Sequence, residues 1–80
     1  LYRLTYDPGI EAVQDSLPPA ASEPLMLALA DACDAPLLAT QPWGQADDRN
    51  RMIEVAGVRA LLFISYSQKT IAVLAIDPIA

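Results

Sequence analysis

Four cations gather in the second half of this 80-residue chain: Arg49, Arg51, Arg59 and Lys69. Guanidinium and ammonium groups of this kind can neutralise phosphate. Only Glu54 and Asp77 oppose them, so residues 49–80 carry a net +2. Residues 1–48 are the reverse. There Arg3 stands against Asp7, Glu11, Asp15, Glu23, Asp31, Asp34, Asp47 and Asp48, a net −7. The overall −5 argues against a general nucleic-acid binder, because phosphate affinity comes mostly from basic side chains. The asymmetry still allows one positive surface, on the second half of the chain.

The remaining chemical inventory is thin. The chain has no histidine, which excludes histidine-dependent triads, bases and metal sites. Three glycines form no phosphate-cradling or dinucleotide pattern. Asp47-Asp48 reads as a pair of solvated loop acids, so no metal site is expected. Cys33 follows an apolar helix and reads as a core thiol. It is the single cysteine, so no internal disulfide forms and a cytoplasmic location is expected. Trp43, in "QPWG", could stack on a base, plug a partner's pocket or cap its own core. Arg49 and Arg51 would flank the entry to a sheet.

The elements that must position these side chains follow from periodicity. Hydrophobic residues make up 54% of the chain, too many for a disordered segment, and residues 1–80 read as one domain. "LYRLTY" (1–6) alternates, with Tyr2, Leu4 and Tyr6 on one side of a strand. Asp7-Pro8 reads as a helix cap, and Ile10, Val13 and Leu17 give a short amphipathic helix to about Ser16. A second helix covers 22–33, with Ser22 as its cap and Pro24 in its first turn. From Leu25 to Ala30 it has no polar residue, which predicts burial all round. Residues 34–48 read as a long loop, suited to mobility or binding. Strands follow at about 50–55, 58–66 and 69–77. No apolar run is long enough to span a membrane as a helix.

Turn geometry then assigns faces. Ala56-Gly57 makes a two-residue hairpin that pairs Val55 with Val58, Ile53 with Ala60 and Arg51 with Leu62. The other face pairs Glu54 with Arg59 and Met52 with Leu61. A second turn at Ser67-Gln68 pairs Ile64 with Ile71, Leu62 with Val73 and Ala60 with Ala75. Opposite these lie Phe63 with Ala72, Leu61 with Leu74 and Arg59 with Ile76. Two short helices can cover only one face. Met52, Leu61, Phe63, Leu74 and Ile76 would then remain on the other, more apolar surface than a soluble monomer usually leaves wet. A partner chain is the expected cover; the alternatives are a loop folded over this face, or helices seated on it instead.

The order strand–helix–helix–strand–strand–strand resembles the RelE/ParE superfamily of bacterial type II toxins, the RelE-like members more than the ParE-like ones. The likeness rests on "YRLTYDPGIEAVQDSL", "DACDAP" and "GVRALLFISYSQKTIAVLAID", and covers nearly the whole chain. The resemblance implies an α+β fold, two N-terminal helices packed on a small antiparallel sheet. It also implies a cognate RelB-like antitoxin that buries apolar surface in a toxin–antitoxin hetero-oligomer. Met52, Leu61, Phe63, Leu74 and Ile76 would be its contacts. RelE-like members cleave ribosome-bound mRNA without metal or cofactor, by 2′-hydroxyl attack on the adjacent phosphate. Arg59 matches the arginine that opens the third strand and would be the catalytic phosphate ligand. Arg49, Arg51 and Lys69 would bind RNA. The family's basic positions on the preceding strand fall on Met52 and Glu54. Its arginine and tyrosine after the last strand have no counterpart in these 80 residues. Two alternatives accompany this reading: a ParE-like DNA gyrase inhibitor, and a degenerate, non-catalytic antitoxin-binding module.

Overall fold

Ala56 and Gly57 both adopt positive φ, at 51° and 79°. This is the turn geometry that matches the twist of a tight hairpin, and it sets Val55 opposite Val58 as expected. A computed structural model describes residues 1–45 and 47–79, so Ala46 in the long loop and Ala80 lie outside the described residues. The elements are β1 (Arg3–Tyr6), α1 (Ile10–Asp15), α2 (Pro19–Asp34), β2 (Gln41–Pro42), β3 (Asn50–Val55), β4 (Val58–Ser65) and β5 (Thr70–Pro78). They form a five-stranded sheet of order β1-β5-β4-β3-β2, with the helices on one face. The sheet is not wholly antiparallel. β1 runs parallel to β5, with Arg3 opposite Thr70 and Tyr6 opposite Val73. The two helices supply the long crossover that parallel neighbours need.

The second hairpin starts in the expected register, with Ile64 opposite Ile71 and Leu62 opposite Val73. A bulge then interrupts the ladder between Leu61 and Leu62. Leu74 is the extra residue. Beyond it Leu61 faces Ala75, Ala60 faces Ile76 and Arg59 faces Asp77. The expected pairs Ala60–Ala75, Leu61–Leu74 and Arg59–Ile76 are therefore corrected. Side chains alternate with period two, so one inserted residue moves everything after it to the opposite face. Ile76 goes under the helices and is only 7% exposed. It does not belong to the open face. Asp77 takes that place instead.

The helices also depart from expectation. Gly9, at φ 83°, starts α1 in place of Asp7. Asp7 is held by its backbone instead, donating its N–H to the Val73 carbonyl and accepting from the Ile10 N–H. Gln14, not Val13, is the buried residue of α1, and it accepts the Tyr6 hydroxyl at 2.6 Å. α2 begins at Pro19, preceded by Pro18, so Ser22 lies inside it rather than capping it. Proline fits a first helical position because its missing N–H has no intrahelical acceptor there. Pro24 lies deeper, and with no N–H it leaves the Ala20 carbonyl without its usual helical donor.

Ala21, Leu25, Leu29 and Ala32 form one buried stripe down α2. They pack with Leu62, Ile64, Ile71 and Val73 of the sheet. Met26 is 58% and Leu27 70% exposed, so the segment 25–30 is not buried all round. One helix layer on one sheet can bury only one stripe. Cys33 packs half-buried against this core, as expected of a structural thiol. No described helix is long and apolar enough to cross a membrane.

The long loop is anchored by Arg51. Its Nε donates to Thr40 Oγ1 at 2.9 Å. Nη2 donates to the carbonyls of Thr40 at 2.8 Å and Leu37 at 3.2 Å, and Nη1 to that of Asp47 at 3.3 Å. The Thr40 hydroxyl in turn donates a hydrogen bond to the Pro36 carbonyl. At 8% exposure, with four of its five N–H donors engaged by the loop, Arg51 is buried rather than presented on the surface as an RNA contact would be. That correction follows from the face it occupies. On the helix side of β3, a cation must be satisfied by protein acceptors.

Replacing Arg51 with methionine should cost about 2–4 kcal/mol in urea unfolding, because it strands the Leu37 and Thr40 carbonyls. Arg51→Lys should recover little of this loss, since a single ammonium cannot reproduce the planar fork.

Candidate functional site

The face of the sheet away from the helices carries Met52 and Glu54 from β3, Arg59, Leu61 and Phe63 from β4, and Ala72, Ala75 and Asp77 from β5. At the β3 edge the chain leaves β2 and turns at Gly44, which adopts φ 69°. The Trp43 N–H donates to the Asn50 carbonyl at 3.3 Å. Trp43 thereby lines an open cleft of about 500 Å³, together with Pro42, Gly44, Met52, Arg59, Leu61 and Asp77. It is 37% exposed and takes no part in the core. Of the roles considered for it, capping the core is excluded.

Arg59 does not stand free in this cleft. Its Nε and Nη2 both donate to Glu54 Oε2, at 2.8 and 2.5 Å. Asp77 faces it from β5 across the ladder. The three side chains together carry one net negative charge. The Glu54–Arg59 pair is solvent-exposed and contributes little to stability, yet it occupies the edge of the guanidinium that would clamp a phosphate.

The opposite end of the sheet is different. There a second depression, of about 270 Å³, is lined by Arg49, Phe63, Ser65, Tyr66 and Ser67. Phe63 and Tyr66 are 40% and 36% exposed. The Tyr66 hydroxyl donates to the Asp48 carbonyl, and its ring stands edge-on to Tyr2, with centroids 6.0 Å apart. Burial, then the charge of Asp48, raises the Tyr66 pKa, so the phenol stays neutral. Arg3 opens β1 beside Thr70, and its N–H donates to the carbonyl of Lys69. The sheet order thus gathers Arg3, Arg49 and Lys69 at one end and leaves Arg59 at the other.

The sequence-derived site therefore divides into three parts. Arg59 lies in the Trp43 cleft between acids. Arg49 and Lys69 lie at the opposite end, and Arg51 lies beneath the loop. Met52, Leu61 and Leu74 are half-buried and Phe63 is exposed, while Ile76 is in the core. Arg3 and Tyr66 were missed. Arg3 joins the cationic end only through the parallel β1–β5 pairing, which periodicity does not encode. Tyr66 reads as a turn residue until its ring is placed.

The fold is that of solved RelE toxins. The isolated Escherichia coli RelE toxin superimposes with a TM-score of 0.84 at 18% identity, covering 100% of this chain and 86% of that one. A RelBE toxin–antitoxin complex from Mycobacterium tuberculosis gives 0.70 at 18% identity, covering 96% of each chain. The archaeal RelE–RelB complex from Pyrococcus horikoshii gives 0.74 at 14% identity, covering 96% of this chain and 93% of that one. No protein-family model and no curated protein sequence matches the chain.

One carboxylate sets the backbone beside Arg49. Asp47 accepts from the backbone N–H groups of Arg49 and Asn50, at 2.8 and 2.6 Å, and from the Asn50 amide at 3.0 Å. Hydrogen bonds from the Asn50 backbone and side chain, then the Arg49 backbone, hold its pKa below the ordinary carboxylate range. A depressed folded pKa gives stabilisation that is present above the ordinary value and lost as pH falls through the folded one. The amide proton shifts of Arg49 and Asn50 should therefore titrate together below about pH 4. Asp47→Ala should abolish that shared step in NMR spectra recorded across the acid range.

Proposed function

We propose that this RelE-fold chain is the toxin component of a type II toxin–antitoxin module, neutralised by a cognate RelB-like antitoxin. One observation carries the reading. The sheet face opposite the helices keeps an apolar cleft, with Trp43, Met52 and Leu61 in its walls, on a fold whose solved neighbours include toxin–antitoxin complexes. Burying a few such side chains at roughly 1.5–3 kcal/mol each offsets the ordering of an antitoxin segment. Met52, Leu61, Phe63 and Leu74 remain the proposed contacts.

The activity proposed for the open face is ribosome-dependent mRNA cleavage. Phe63 and Tyr66, interleaved with Arg49, Lys69 and Arg3, suit stacking and backbone contacts to a single strand. Arg59 would stabilise the charge that grows on phosphate as the 2′-hydroxyl attacks. For this, Glu54 must release the guanidinium, and positioning of mRNA by the ribosome would supply the competing phosphate. A second reading is favoured by the Glu54–Arg59 pair and by Asp77 opposite it: a module that binds its antitoxin without cleaving RNA.

Inducible expression separates these outcomes. Growth arrest with transcripts cut at codon positions supports cleavage. Arrest with DNA damage instead points to gyrase, and the absence of arrest points to the non-catalytic module. Under the cleavage reading, Arg59→Ala should abolish toxicity and leave antitoxin co-purification intact. Glu54→Gln should keep or raise toxicity, because it frees the guanidinium. A fully toxic Arg59→Ala variant would overturn the mechanism at this face. Expressed alone, the chain should bind hydrophobic dyes through its open face, and co-expression with the antitoxin should suppress that binding.

A further inference from the structure

The Trp43 cleft has a charge arrangement that its apolar walls do not foretell. Trp43, Met52, Leu61 and Pro42 offer a surface for apolar side chains. The charged groups around them are Arg59, Glu54 and Asp77. Arg59 and Glu54 satisfy each other through two hydrogen bonds to one carboxylate oxygen. Asp77 is exposed, and among the described residues Glu54–Arg59 is the only ion pair. Asp77 therefore remains the charge available to an incoming group.

The position of Asp77 is a consequence of the bulge at Leu74. Without that extra residue Ile76 would face Arg59, and the cleft would be apolar with a neutral ion pair. With it, a carboxylate lines the wall. A phosphate backbone approaching this cleft meets one net negative charge and a guanidinium already engaged. A lysine or arginine approaching it meets Asp77 directly and the exposed Glu54 beside it. Trp43 adds an aromatic face, which also attracts cations.

From this complementarity we infer that the cleft binds a cationic, apolar-containing segment of a partner protein. One lysine or arginine pairs with Asp77, and a neighbouring apolar side chain sits against Trp43, Met52 and Leu61. The inference rests on the antitoxin reading only in taking the open face as the partner face. It adds the chemistry that the partner must present. It also excludes free RNA from this end of the sheet, so cleavage at Arg59 requires the ribosome to deliver the strand.

Trp43 is the only tryptophan, so its fluorescence reports on this cleft alone. The purified chain is titrated with three tryptophan-free probes: a lysine–leucine peptide, a glutamate–leucine peptide of the same length, and single-stranded oligouridine. The lysine peptide should shift Trp43 emission to the blue, and the other two should not. Asp77→Lys should weaken the lysine peptide by about fivefold or more. Asp77→Asn should give a smaller loss and guards against misfolding of the reversal. Glu23→Lys, a charge reversal on exposed α2, should change binding by less than about twofold, because screening confines the effect to nearby charges.

Equal losses from Glu23→Lys and Asp77→Lys would overturn the inference, since general attraction to an acidic protein would then explain binding. A blue shift produced by RNA or by the acidic peptide would overturn it too. So would a shift that appears with protein concentration alone, which would mean that a second copy fills the cleft. None of these outcomes touches the growth-arrest experiment, so the antitoxin reading stands or falls separately.

Discussion

Leu74 has no partner on β4, and the assignment of side chains to the two faces of the sheet turns on it. Up to Val73, β5 alternates in step with the hairpin that precedes it. After Leu74 the alternation is inverted. Ile76 enters the core, where full burial of such a side chain is worth about 1.5–3 kcal/mol. The same step turns Asp77 outward beside Arg59. One unpaired residue therefore completes the hydrophobic layer under the helices and sets the electrostatics of the opposite face. A bulge survives where its cost in ladder hydrogen bonds is offset by better packing, and Ile76 against Ala60 supplies that packing.

Arg51 plays a comparable part at the other edge of the sheet. It is a buried cation whose acceptors are neutral: three carbonyls and a hydroxyl. A planar guanidinium can satisfy several acceptors at fixed angles, which a lysine or an apolar residue cannot. By holding Leu37, Thr40 and Asp47 beside β3 it fixes a stretch that lacks periodicity of its own. Trp43 belongs to that stretch. The cleft on one face of the sheet thus depends on hydrogen bonds made on the other.

Charge is sorted by the same architecture. The parallel β1–β5 pairing brings Arg3 beside the start of β5, close in the fold to Lys69 and on the same end as Arg49. Arg59 lies at the opposite end with Glu54 and Asp77. A modest total of five basic residues becomes one cationic end and one slightly acidic cleft. The two ends of the sheet thus differ in charge, although Asp47 and Asp48 flank Arg49 at the cationic one.

The sequence by itself determined the element order (apart from the short β2 within the loop), the two-residue hairpin and the first half of the β4–β5 register. These are local properties, set by side-chain period and turn chemistry acting over a few residues. It also placed Glu54 opposite Arg59, because that pair lies within a single hairpin. Tertiary structure decided the rest. The bulge, the burial of Ile76 and the exposure of Asp77 depend on which side chain best fills the space under α2, a contact between residues distant in the chain. The burial of Arg51 depends on loop carbonyls that no periodicity reveals. Exposure of Met26 and Leu27 follows from the number of layers, since an apolar helix face stays uncovered when no third layer exists to cover it. Local pattern fixes what a segment is, and long-range packing selects which of its side chains reach solvent.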